Sequence, residues 1–220
     1  MLRVDPYAAI HKVLRHLMGR TTYELGRTSL GSGIESVGAI EQLIETLELM
    51  HEHAEVEERS FHPTLITRAR DVVERLEKDH ETIDPRITAF LERARQFAET
   101  PDGPERAAAG HRLYLDFTAL AATYDTHLYR EETEGTPAFQ AAFTDAELLE
   151  MQAKMRASMA PEKMARWATH MMAPLSHAER LGMLRGLKAT APAPILQGML
   201  ALAAKSLPKP DFERLEKELR

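Results

Sequence analysis

Four histidines on four separate stretches of helical periodicity, two of them followed one turn later by glutamate, constrain this chain more than any other feature. They are His11, His53 with Glu57, His80, and His127 with Glu131. Residues i and i+4 of a helix sit one above the other, so each His-x3-Glu step points an imidazole and a carboxylate the same way. Four antiparallel helices that bring these groups together enclose a nitrogen and oxygen pocket suited to one or two first-row transition metals. The pattern predicts a metal site inside a helical bundle, read as di-iron.

Each candidate must face the bundle interior. His11 shares a face with Tyr7, Leu14 and Met18, and His80 with Val73, Leu76, Ile83 and Ile87. His127 sits with Leu120, Tyr124 and Leu128, and His53 beside Leu49, Met50 and Val56. Singly, a histidine on an apolar face is usually a satisfied core residue. Glutamate is rarely buried unless it is paired or metal-bound, so two of them at i+4 from histidines on different helices make the set stronger than its members. One ambiguity remains: His51/Glu55 and His53/Glu57 have the same spacing, and the stripe Ile44, Leu47, Met50, Ala54 runs between the two pairs. Periodicity alone leaves that register open.

Apolar–polar alternation is nowhere sustained, so the expected fold is all-α: an antiparallel up-and-down four-helix bundle over residues 1–140 and a Met-rich C-terminal helical extension over residues 141–220. The first helix is predicted from about Pro6 to the Gly26 region, and the second from a capping box, Ser32 with Glu35, towards Pro63. A third covers about Thr67 to Glu99 with a kink at Pro85. The fourth, signalled by Asp102 and Glu105, runs to about Glu134 and is ended by Gly135 and Pro137. Shorter helices then open at Thr144/Glu147, Pro161 and Ser176/Glu179. Eight of the eleven methionines and Trp167, the single tryptophan, lie beyond residue 150. They are expected to fill a small helical core, with a protein partner or self-association through these helices as the alternative.

Composition narrows the chemistry. With 44% hydrophobic and 28% charged residues, the chain can bury a core. A net charge of −6 argues against a nucleic-acid surface. There is no cysteine, which removes thiolate zinc, iron–sulfur and thiol chemistry and is compatible with a reducing cytoplasm, the expected location. The first residues do not read as a secretory signal, and the most apolar tract, Ala191 to Ala204, is too short and too interrupted to span a membrane.

The segments AAIHKVLRHLM, HAEVEERSFHP, KDHETI and THLYREE together resemble the hemerythrin-like family, the HHE cation-binding domains, over about residues 5–135. In that family His-x3-Glu on the second helix is followed by an aromatic residue and a proline. By the resemblance, Phe61 and Pro63 set the register in favour of His53 and Glu57. The resemblance implies a metal set of His11, His53, Glu57, His80, His127 and Glu131, holding two iron ions bridged by an oxo or hydroxo group. It implies dioxygen or a related small molecule as partner. Oxygen-carrying members keep a further histidine one turn after the third-helix histidine, where this chain has Asp84. A shell with fewer imidazoles and more carboxylate favours the ferric state, which shifts the expectation from reversible carriage towards oxygen, redox or iron sensing, or peroxide-linked redox activity.

Two other readings compete. A ferritin-like di-iron protein uses Glu-x-x-His on two helices, and Glu48/His51 and Glu77/His80 have that spacing, but the fourth helix offers Tyr124 in place of the glutamate. A metal-free helical interaction protein would tolerate loss of His53 and His127. No GxSxG, HExxH or phosphate-binding glycine loop supports a hydrolase. His62, beside Pro63, is the expected spare ligand, and Tyr124 is expected to pack.

Overall fold

Asp5 opens the first helix. In the computed structural model, which describes residues 3–220, its carboxylate accepts hydrogen bonds from the backbone N–H groups of Tyr7 (2.9 Å) and Ala8 (3.0 Å). The elements are α1 (Ala8–Arg27), α2 (Gly33–Ser60), α3 (His62–Leu65), α4 (Arg70–Ala98) and α5 (Pro104–Arg130). A π-helical turn (Glu131–Gly135) leads into α6 (Thr136–Ala142) and α7 (Asp145–Ser158). The last elements are α8 (Pro161–Met171), α9 (His177–Thr190), α10 (Ala193–Ser206) and α11 (Lys209–Leu219). Among the described residues there is no strand. Pro85 lies within the continuous helix α4.

Several local signals act as expected. Ser32 accepts from the Glu35 N–H at 3.4 Å, Thr144 pairs with Glu147, and Ser176 with Glu179 forms a reciprocal capping box. Two do not. Asp102 does not cap its own helix, whose N-cap is Gly103 at φ 142°; its carboxylate instead accepts from the Gly33 N–H at 2.7 Å, at the start of α2. Gly135 and Pro137 do not end the fourth helix either. Gly135 stays in the right-handed helical region at φ −66°, and the chain continues through the π-turn into α6, where Pro137 occupies a first-turn position. A Cβ at residue 135 would lie 3.1 Å from the Tyr7 ring, so close approach, not helix termination, explains this glycine.

The chain divides into two compact units, one up to Ala157 and one from Ser158. In the first, α1 packs on α2 and α5, while α4 packs on the same two helices. Val13, Leu14, Leu17, Leu43, Leu47, Leu76, Ile87 and Phe117 are completely buried within it. Buried Arg106 knits three helix ends together: it donates to the Phe97 carbonyl and the Ser36 hydroxyl, both at 2.9 Å, and to the Thr100 carbonyl. A second cluster joins Tyr7, Phe61, Leu65, Val73, Phe139, Phe143 and Leu148, with Met151 and Met155 of α7 against it.

In the second unit α9 packs on α10 and α11, and α8 on α10. Its core is Met172, Leu181, Leu184, Met199, Ala203, Leu207, Leu215 and Leu219. Met172 and Met199 are buried in that small core, with Met171 and Met183 packed against it. No helix among the described residues is long and apolar enough to cross a membrane.

Candidate metal centre

Each of α1, α2, α4 and α5 carries one histidine into the same interior, and α2 and the π-turn add one carboxylate each. His11 and Glu131 are 0% exposed, Glu57 1%, His80 and His127 3%, and His53 5%. The two carboxylates sit at the middle. Glu57 lies 3.2 Å from His53 Nε2 and 3.6 Å from His80 Nε2. Glu131 lies 3.3 Å from His11 Nε2, 3.2 Å from His127 Nε2 and 3.8 Å from His80 Nε2. One potential ligand atom from each of His11, His53, Glu57 and Glu131 falls within 4.8 Å of the others, and the same holds for Glu57, His80, His127 and Glu131. The two quartets share both carboxylates.

Carboxylates also stand at the outward nitrogens of three imidazoles. Glu132 meets His11 Nδ1 at 3.0 Å and is clamped by Arg15 at 2.6 and 3.1 Å. Asp79, paired with Arg130, lies 3.4 Å from His127 Nδ1. Glu58 and Asp84 lie 3.4 and 3.7 Å from His80 Nδ1. Such partners fix ring orientation and leave Nε2 free to ligate. The π-turn begins where two consecutive glutamates, Glu131 and Glu132, reach opposite nitrogens of His11. A π-helical turn of this kind is frequent at functional sites.

The charges are unequal. Burial pushes the Glu57 carboxyl well up, and the neighbouring Glu131 carboxylate adds to the effect. Burial presses on Glu131 too, but the close imidazoles of His11, His127 and His80, 3.2–3.8 Å away, outweigh it and hold that carboxyl well below the usual range. Glu132 also resists its burial, and its bonds to His11 and Arg15 bring it down to about 2. Burial, with His11 nearby, drives His53 well below the ordinary imidazole value, which leaves it a neutral donor. Against the same burial, His11 and His80 are raised by their glutamate partners.

The protein's own polar groups leave this interior incomplete. His11 Nε2, His53 Nε2, His80 Nε2 and both oxygens of Glu57 and Glu131 are buried with no hydrogen-bond partner. A buried acceptor left unpaired costs about 1–3 kcal/mol, more when charged. Cations placed between these atoms satisfy all of them, and imidazole nitrogen with carboxylate oxygen suits a first-row transition metal. The residues fit the group.

His53 and Glu57 face the centre, whereas His51 and Glu55 form an outward pair with side chains 43% and 46% exposed. Glu48 is paired with Arg95 away from the centre, so the ferritin-like spacing does not converge. Asp84 belongs to neither quartet and stands behind His80. Tyr124 donates to the Met50 carbonyl at 3.2 Å, a packing role. Its counterpart Tyr7 received no site role from the sequence; it stacks on His11 with ring centroids 5.1 Å apart, and its hydroxyl is buried without a partner. His62 is 1% exposed, with its ring 5.4 Å from that of His80, its Nδ1 3.8 Å from Glu77 and neither nitrogen hydrogen-bonded, yet it joins neither quartet.

Helices that bury histidines and glutamates around a shared pair of carboxylates define a cation-binding helical protein. The family model for the Hemerythrin HHE cation binding domain matches residues 4–139, and the chain belongs to that family. No curated protein and no solved structure matches the chain.

Proposed function

We propose that this is a non-haem di-iron protein whose first 140 residues act as an antiparallel up-and-down four-helix bundle around two iron ions. In this reading His11, His53, Glu57 and Glu131 would hold one ion, and Glu57, His80, His127 and Glu131 the other. The carrying observation is the pair of quartets built from buried, unpartnered nitrogen and oxygen atoms. A metal-free role would leave those atoms uncompensated in the core.

Bound iron supplies one-electron redox chemistry and affinity for dioxygen. The chain supplies the rest. Glu132 and Asp79 hold His11 and His127 in orientation through their outer nitrogens. Tyr7 and Tyr124 pack on those same rings, the latter with its centroid 5.9 Å from His127. Four imidazoles and two carboxylates favour ferric iron, so the function we infer is oxygen or redox sensing rather than reversible carriage. Dioxygen or a related small molecule is the partner, and the reducing cytoplasm, compatible with a chain free of cysteine, is the setting. The helices after residue 140 form an extension open to a protein partner or to self-association.

Elemental analysis of protein produced with ample iron tests the reading: close to two irons per chain is expected. Zinc alone, or no metal, contradicts it. Ferrous-loaded protein mixed with oxygen should keep its oxidised spectrum after purging, and full return to the reduced spectrum would restore oxygen carriage.

A further inference from the structure

His80 differs from the other two histidines with flanked outer nitrogens. His11 Nδ1 and His127 Nδ1 each make a hydrogen bond, whereas His80 Nδ1 is buried without one. Two carboxylates from different helices flank it: Glu58 Oε1 at 3.4 Å, from α2, and Asp84 Oδ2 at 3.7 Å, from α4. Ligand atoms of Glu58, His80 and Asp84 lie within 4.8 Å of one another. This trio opens on a groove of about 530 Å³ lined by Glu58, Glu77, His80, Glu81, Asp84 and Pro85. Glu58 is 53% exposed and Asp84 23%, while the ring between them is 3% exposed and turns its other nitrogen to Glu57 and Glu131.

We propose that Glu58, His80 Nδ1 and Asp84 form an outer divalent-cation site from which the buried centre is loaded. The inference rests on the buried centre being a metal site. Three facts support it. Apart from His80 itself, every titratable residue lining the groove is acidic, and an acidic cleft concentrates cations and speeds their capture. Two carboxylates and one imidazole leave room for water, as a site that must release its cation requires. His80 is the only residue common to the outer trio and the inner quartets, so a cation leaving the groove meets the same ring that serves the centre. The opposing view is that Glu58 and Asp84 merely orient His80, as Glu132 and Asp79 orient their histidines.

Cobalt(II) separates the two, because a nitrogen and oxygen site that takes ferrous iron binds cobalt at least as tightly. Metal-free full-length protein is mixed rapidly with cobalt(II) and its absorption followed to completion, for wild type, the Glu58→Gln/Asp84→Asn double variant and a Glu55→Gln control. The amides remain hydrogen-bond acceptors and preserve orientation but lose the charge. The double variant should load roughly tenfold or more slowly, in line with the effect of electrostatic focusing on capture rates. It should still reach two cobalt ions per chain, and Glu55→Gln should match wild type. Wild type in excess cobalt should also hold a third, weaker ion that the double variant lacks. Equal loading rates, or a wild type that stops at two ions, overturn the outer site. A wild type that never reaches two overturns instead the reading of the buried centre on which it rests.

Discussion

An imidazole whose inner nitrogen has only a cation to bind becomes a liability once that cation is gone. His53→Ala and Glu131→Ala should therefore lower iron content and melting temperature together, since a ligand held only by the folded state contributes roughly 4 kcal/mol at a thousandfold excess over Kd. His51→Ala should change neither, because His51 turns outward to Glu55. Iron analysis beside a thermal melt checks all three, and an iron-free His51→Ala protein would reverse the register on α2. Tyr7 offers a second test, as its buried hydroxyl lacks a partner. Tyr7→Phe should leave the melting temperature of metal-free protein unchanged or raised, and a clear drop in the melt would reveal a bond to that hydroxyl. His127 with Glu131 was legible because i,i+4 spacing is a local property of a helix, and His11 and His80 from their apolar faces. His53 and Glu57 needed the family resemblance to be told from His51 and Glu55. Tyr7 and the partners of the outer nitrogens of His11 and His127 were not legible, since Glu132 meets His11 across 121 residues and Asp79 meets His127 across 48.

The helices show the same division between local and distant causes. The pairs Thr144/Glu147 and Ser176/Glu179 act within one turn, and the sequence displays them directly. Asp102 reads as a cap for the helix just after it but serves the start of α2, 69 residues away. Asp102→Ala should thus cost about 1 kcal/mol, a fall of roughly 2–4 °C in a thermal melt. Ser32→Ala should cost less, because its bond to the Glu35 N–H is 3.4 Å long against 2.7 Å for Asp102. A larger loss at Ser32 would contradict this order. The π-turn escaped the sequence reading for a different reason. Gly135 and Pro137 are ordinary stop signals, and only the packing of Tyr7 against residue 135 shows why the helix continues past them.

Across the whole molecule, each of the two compact units buries a core of its own. Leu184 is completely buried in the core of the second unit. Leu184→Ala should cost about 2–5 kcal/mol there while leaving iron content unchanged. Hydrogen exchange should accelerate over residues 177–219, and unchanged exchange there, or iron loss in this variant, would contradict the prediction. The change of character after Thr144 was legible as shorter helices and clustered methionines. The division at Ala157 was not, because α7 has the composition of the extension yet packs Leu148, Met151 and Met155 against Tyr7 and Phe139 of the first unit. Iron K-edge absorption on iron-loaded full-length protein tests the shared-carboxylate centre most directly. It should show a nitrogen and oxygen shell together with a second iron at a distance under about 4 Å, the separation typical of paired metal sites. Iron with no metal neighbour would contradict the two quartets joined through Glu57 and Glu131.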